Sequence, residues 1–331
     1  MAYIYKKIIG DKEYYYLRVS KRQGKRIIAK DIAYLGSTLA EVRKALSQLP
    51  EKQIRAAYKT IKHFLETNTW LEEAKKNKPK QTPYLEKVLL EQIEACRLHW
   101  QKVFLKKDFR TQSECFKRFV VEFAFNTTSI EGNTIKLHEA ERLLNEQLTP
   151  KNKTLHEIYD VQNTERVFLN IKEKKLGISE ENMIMVHQEL MKNVDSRIGY
   201  RNEDVHVLHA RFKATPTPYI RTDMILLLKW YQENKTKVHP LALAGMVHHK
   251  FEKIHPFFDG NGRTGRMIIN AILLKEGYPP LIVRKRNRTE YLEALSKADK
   301  ADLTASKPEQ YQKLIEFLAV EMIESYWNNF L

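Results

Sequence analysis

The 331-residue chain predicts a mainly α protein with a small β-rich start. Three observations carry this. Runs of β-branched and aromatic residues joined by short polar turns are confined to residues 3–35. From Thr82 onward apolar residues recur at helical spacing almost without interruption. Between the two regions, "KKNKPKQ" (Lys75 to Gln81) is charged and broken by proline, as a linker is.

In order, "YIYKKII" and "EYYYLRV" flank the turn at Gly10-Asp11-Lys12, and "KRIIAKDIAYLG" follows a corner at Gln23-Gly24, so an antiparallel meander is expected. Helical periodicity runs from Leu39 to about Ala74, broken at Pro50. These elements make a module of residues 1–80, followed by a helical region over 82–331. Thr82-Pro83 reads as an N-cap followed by proline at the first helical position. Leu85, Leu89, Ile93 and Trp100 share one face of that helix, and Phe116, Phe119, Val120, Phe123, Thr127 and Ile130 form a second stripe. Further helices are expected near 135–147, 154–174, 179–192, 222–234, 239–254, 263–276, 288–298 and 308–328. Between 197 and 220 the helical pattern fails, and "DVHVLHARFKATPTPY" predicts a hairpin or flap.

The composition narrows the function classes. No apolar run approaches the eighteen or so residues that cross a bilayer, so no membrane partner is expected. "MAYIYKKIIG" has no apolar h-region, so no signal peptide is expected. The two cysteines, Cys96 and Cys115, have no metal-ligand spacing, and the default compartment is a reducing cytoplasm. Residues 1–80 hold 19 Lys/Arg and 8 Asp/Glu, a net +11 of the chain's +16, which leaves +5 for the rest. The basic quarter points to an acidic partner, a protein face or nucleic acid, beside the plainer reading of a solvated basic surface. "YYYLRVSKRQGKR" mixes aromatics with cations on a predicted sheet, a composition that suits stacking on single strands. A nucleic-acid-binding regulator is therefore the non-enzyme alternative.

"HPFFDGNGRTGR" (His255 to Arg266) carries the chemistry. Gly260, Gly262 and Gly265 have the G-x-G-x-x-G spacing of a dinucleotide loop. A helical pattern precedes the loop where that fold needs a strand, and Pro256 interrupts the approach. Simpler phosphate binding fits better. The glycines let backbone N–H groups approach an anion, and the next helix presents its positive N-terminus there. Arg263 and Arg266, three apart, are expected to face one anion, with the Asn261 amide as a further donor. Asp259 would repel phosphate unless a hard cation such as Mg²⁺ bridges them. His255 is the side chain here that takes a proton near neutral pH. "VHHKFEKIH" offers His248, Glu252 and His255 as a competing metal set, without the H-E-x-x-H spacing zinc favours.

The stretch resembles the signature of the Fic family, HPFxDGNGRxxR, at every fixed position. The likeness extends to "VHQELM" and to "GYPPLIVRKRNRTEYLEAL", roughly residues 116–325, and implies a helical Fic-type domain with a short β-hairpin flap. The resemblance implies an enzyme that moves AMP from ATP to a Ser, Thr or Tyr hydroxyl of a protein, itself included, and releases pyrophosphate. It implies His255 as general base, Asp259 as the Mg²⁺ holder, and Gly260, Asn261, Gly262, Arg263, Thr264, Gly265 and Arg266 around the ATP phosphates. Val205, His206, Val207 and Leu208 align with the flap that clamps the target. Tyr291, Leu292 and Asp299 fall on the adenine side. Related proteins often pair, which makes a homodimer an expectation. Some Fic-fold toxins phosphorylate instead; they carry lysine at the position of Gly262, so the kinase is the alternative within the family.

"TTSIEGN" (Thr127 to Asn133) resembles the family's inhibitory motif, [S/T]-x-x-x-E-[G/N], through Thr127, Glu131 and Gly132. The resemblance implies that Glu131 pairs with Arg266 and holds the enzyme autoinhibited. In some members the same glutamate activates water to remove AMP, so both directions stay open.

Overall fold

The computed structural model describes residues 2–24, 26–174, 176–206, 212–304 and 307–331. They form two compact units, residues 1–78 and 79–330.

In the first unit, β1 (Ala2–Ile9), β2 (Lys12–Gln23) and β3 (Arg26–Gly36) make an antiparallel sheet in that order. Ile4 pairs with Leu17, and Leu17 with Ala33, so one face carries aliphatic side chains. α1 (Leu39–Gln48) and α2 (Glu51–Lys76) cover that face. α1 starts at Thr38, whose hydroxyl accepts the Glu41 N–H at 3.3 Å, an N-cap of the usual kind. Tyr15, Leu17 and Leu35 from the sheet are buried with Val42 and Leu46 of α1 and Ala57 and Ile61 of α2.

In the second unit the described residues hold α3 (Lys87–Lys102), α4 (Phe109–Ile130), α5 (Leu137–Glu146), α6 (Leu155–Lys174) and α7 (Glu180–Met191). α8 (Ile220–Asn234), α9 (Pro240–Ile254), α10 (Asn261–Lys275), α11 (Arg288–Ala298) and α12 (Pro308–Asn329) complete it. α9 and α10 are buried nearly all round, as helices apolar on every face are. They pack on each other, with α8 and α12 against α9 and with α6 and α7 against α10. An aromatic cluster of Trp100, Phe104, Phe116, Phe119, Tyr326 and Phe330 seals α12 against α3 and α4. Among the described residues, no helix is long and apolar enough to cross a membrane.

Two local expectations change. Thr82-Pro83 does not open a helix: Thr82 Oγ1 accepts the Tyr84 N–H at 3.5 Å in a turn, and α3 begins only at Lys87. The described residues of the expected hairpin over 197–220 contain no strand, only bends and a 3₁₀ turn at Thr217–Tyr219. Val207 and Leu208 lie outside the described residues.

Candidate active site

The site is built where α9 hands over to α10. α9 closes on His255 in the left-handed conformation, with φ 51° and ψ 59°, its N–H on the Phe251 carbonyl at 2.9 Å. Pro256 follows and blocks another turn. His255 Nδ1 lies 3.3 Å from the Glu252 carbonyl, so it carries the proton and Nε2 is left as acceptor. Burial holds the imidazole below its ordinary pKa, with the Arg201 charge adding in the same direction and the Glu252 carbonyl opposing. Arg201, buried, donates to the His255 carbonyl at 2.9 Å and to the Glu203 carbonyl at 2.8 Å, which ties the start of the flap to the His255 loop.

The loop itself is locked from inside. Asn261 Oδ1 accepts the Phe257 N–H at 3.1 Å, and its Nδ2 donates to the Phe257 carbonyl at 2.8 Å. The amide expected to face an anion is therefore committed to the loop's own backbone. The His187 ring stacks on Phe257 with centroids 3.7 Å apart and donates from Nε2 to the Asp259 carbonyl at 3.0 Å. Gly260 caps α10 with φ 77°, and a Cβ there would sit 2.7 Å from Met191 Sδ. The first N–H groups of α10 have no intrahelical acceptor and point toward the loop, the usual anion-binding end of a helix. The Asp259 carboxylate, half exposed, accepts from the Gly260 N–H at 2.5 Å and from Arg263 Nη2 at 3.0 Å.

The two arginines part company. Arg263 is buried between Asp259 and Asp160 of α6, to which it also donates, and it does not line the cavity. Three positions on a helix lie only about 60° apart around its axis, so the divergence comes from the partners: each arginine turns to its own carboxylate. Arg266 remains at the cavity wall. Its Nε donates to Thr127 Oγ1 at 2.7 Å, and its Nη2 donates to the Thr127 carbonyl at 3.0 Å and to Glu131 Oε1 at 2.6 Å. The Glu131 contact is a single N–H···O bond, and the arginine is 3% exposed against 38% for the carboxylate.

Glu131 is placed by the end of α4. The Gly132 N–H reaches the Ser129 carbonyl at 3.3 Å and the Asn133 N–H the Thr128 carbonyl at 3.1 Å, a Schellman pair with Gly132 at φ 107°. Arg288 Nε donates to the last helical carbonyl, Ile130, at 2.9 Å. The carboxylate lies over Gly262, where a Cβ would fall 2.2 Å from Glu131 Oε1.

A cavity of about 190 Å³ is enclosed by Glu131, Glu252, His255, Asp259, Gly262, Arg266 and Tyr291 among others. Small-molecule sites commonly run to roughly 300–1,000 Å³, so this one is small for a nucleoside triphosphate while Glu131 walls it. Gly260, Asn261 and Leu292 also line it; Thr264, Gly265 and Asp299 do not. Thr264 is fully buried, and Gly265 lets His248 and Glu252 pack against α10, with a Cβ there 2.4 Å from His248 Nδ1. Asp299 lies 3.2 Å from His249 Nε2, outside the cavity lining. Tyr291 is buried, and its hydroxyl shares a 2.5 Å hydrogen bond with His248 Nε2. Val205 and His206 border a separate cavity of about 460 Å³ with Arg201, Thr215 and Lys253. The described residues hold no group of three or more His, Cys, Asp or Glu able to bind a metal, so His248, Glu252 and His255 are not a zinc site.

The sequence reading missed Asp160, His187 and Arg201, which position the site from outside the cavity, and Arg288, which lines it. His187 stood inside "VHQELM", quoted for its likeness alone. Asp160 and Arg201 belong to no motif, and only the fold brings them to the loop.

Fold and site together define a helical domain in which a histidine and an accessible carboxylate stand beside a buried helix N-terminus. Residues 177–273 match the model of the Fic/DOC family. The protein adenylyltransferase Fic of Drosophila ananassae is 28% identical over 197 residues, covering 56% of this chain and 38% of that one. The protein adenylyltransferase fic-1 of Caenorhabditis elegans is 28% identical over 187 residues, covering 55% and 37%. The chain thus spans well under half the length of these curated relatives. A crystal structure of a Fic-domain-containing signalling protein from Bacteroides thetaiotaomicron superposes with a TM-score of 0.65 at 22% identity, over 71% of this chain and 93% of that one, a likeness of fold.

Proposed function

We propose that the protein transfers AMP from ATP to a hydroxyl side chain of a protein. The observation that carries this reading is the convergence of three groups on one cavity: the acceptor Nε2 of His255, the half-exposed carboxylate of Asp259, and the N-terminus of α10. In the reaction, the target oxygen attacks the α-phosphorus, the bond to the bridging oxygen breaks, and pyrophosphate leaves. His255 Nε2 takes the hydroxyl proton, a contribution of about 10²–10⁴-fold. The α10 N–H groups and Arg266 hold the phosphates in line, which is where most phosphoryl-transfer catalysis resides.

Mg²⁺ fits as a companion of the substrate. One accessible carboxylate beside an anion cradle suits an ion that takes one or two protein ligands and fills its shell with phosphate oxygens and water. Asp259 would hold it, and when bound it neutralises phosphate charge. The buried pairing of Arg263 with Asp160 and Asp259 supports a role in setting that carboxylate.

The same reading makes Glu131 a brake. Its carboxylate occupies the space over Gly262 and engages Arg266, so a nucleotide meets a filled, negatively charged cradle. The function is tested by incubating the protein and a lysate with Mg²⁺ and ATP tagged on either its α- or its γ-phosphate, then mapping modified residues by mass spectrometry. Protein-bound label from α-tagged ATP only is expected. Label from γ-tagged ATP would make the enzyme a kinase, and no label with the brake removed would end the enzyme reading.

A further inference from the structure

We propose that the outer face of the N-terminal sheet is a binding site for single-stranded nucleic acid. The inference is independent of the AMP-transfer reading.

Side chains of a strand alternate between its faces, and β2 shows what this does here. Tyr15 and Leu17 point into the core under α1 and α2 and are buried. Their neighbours Tyr14 and Tyr16 point the other way. Tyr5, Tyr16 and Tyr34 stand directly opposite one another on three successive strands, so they form one transverse row. Tyr16 and Tyr34 have centroids 5.3 Å apart, Tyr14 and Tyr34 6.5 Å. Tyr34 is 54% exposed, although burying a tyrosine ring in this unit's core was open to it. The Arg18 guanidinium lies 3.4 Å above the Tyr5 ring while paired with Asp31, which keeps a planar cation in the same surface.

The cations extend the row. Residues 20–30 contain five Lys/Arg and no Asp/Glu. Arg22 continues the Tyr14–Tyr16–Arg18 face at even spacing, and Lys7, directly opposite Tyr14, is exposed on that same face, while Arg26 and Lys30, opposite Gln23 and Val19, are exposed on the other side of the β2–β3 arm. An exposed aromatic row needs a flat apolar partner, and an acid-free cationic arm beside it needs a polyanion. Single-stranded nucleic acid supplies both, with bases stacking on the tyrosines and phosphates following the arm. An acidic protein surface would match the arm and leave the tyrosines without partners. Duplex DNA hides its base faces in the stack.

The test uses the full chain and fluorescence anisotropy with a short labelled oligothymidylate, its oligouridylate counterpart and a duplex of equal length, over about 50–200 mM salt. Binding of the single strands is expected to exceed that of the duplex and to fall steeply with salt. Tyr34→Ala is expected to weaken it by about 5- to 100-fold, with Tyr34→Phe near wild type. Arg22→Glu with Lys7→Glu is expected to weaken it and to flatten the salt slope by about one to two. No binding at low salt would overturn the proposal. So would equal binding of the duplex with Tyr34→Ala silent, or displacement of the oligonucleotide by polyglutamate at equal charge.

Discussion

Glu252 shows at the residue scale how the site's electrostatics can be read and tested. Burial pushes its carboxyl up to about 8, with repulsion from Glu131 adding and Arg266 opposing, and its Oε1 has no hydrogen-bond partner among the described residues. The folded chain therefore binds this proton more tightly than the unfolded one. The contribution of Glu252 to stability falls as pH rises from about 4.5 to about 8, and levels off above. Glu252→Gln removes the ionisation, so its melting temperature should match wild type near pH 5 and exceed it by several degrees at pH 8. His255 shifts the other way. Burial holds it below the ordinary 6.5, so the acid limb of kcat/KM should have its midpoint below that value, measured as a pH–rate profile. A midpoint above 6.5 would mean another group acts as base. These directions were not legible in the sequence. A motif names residue types, whereas Asn261 bonds the Phe257 backbone, Arg263 binds Asp160, and Asp299 faces His249. Which way a side chain turns depends on partners contributed by distant helices.

At the element scale, the decisive feature is how α4 ends. Its last turn combines a Schellman closure at Gly132 with the Arg288 contact to the Ile130 carbonyl, and both fix where Glu131 starts. Gly132→Ala meets open space but must adopt φ 107°, a strain of roughly 1–3 kcal/mol. If the closure holds the brake, Gly132→Ala and Arg288→Ala should each raise basal transfer, with Gly132→Ala also lowering the melting temperature. Unchanged basal rates in both would detach the cap from the brake. α6 and α10 are joined by the buried Arg263–Asp160 pair. Asp160→Ala should cost up to roughly 3–5 kcal/mol in denaturant unfolding, because it leaves a buried guanidinium with the half-exposed Asp259 as its remaining carboxylate partner. The helices themselves were legible. α9, α10 and α11 fall within two residues of their expected spans, since buried helices advertise their period. Thr82-Pro83 misled because a cap pattern also fits a turn, while the centre of the expected flap, residues 207–211, lies outside the described residues.

At the scale of the whole molecule, two units with separate cores are joined through the exposed stretch Lys75–Lys78. Limited trypsin digestion should cut there first and leave a stable C-terminal fragment that retains residues 177–273, the stretch matching the Fic/DOC model; early cleavage inside α9 or α10 would contradict this. The division of labour proposed here, a nucleic-acid face on one unit and AMP transfer on the other, was foreshadowed by the charge asymmetry and by "HPFFDGNGRTGR". The geometry proposed to regulate transfer was not, because the strength of the Glu131–Arg266 contact depends on the burial of the arginine. The central claim is that this contact restrains an AMP-transfer site. It is tested most directly by the rate of protein labelling from α-phosphate-tagged ATP in wild type, Glu131→Gly and the double variant Glu131→Gly/His255→Ala. The account expects Glu131→Gly to label at least about 10²-fold faster than wild type, since misplaced phosphates cost about that much, and the double variant to show no labelling. Equal rates for wild type and Glu131→Gly, or labelling that survives loss of His255, would contradict it.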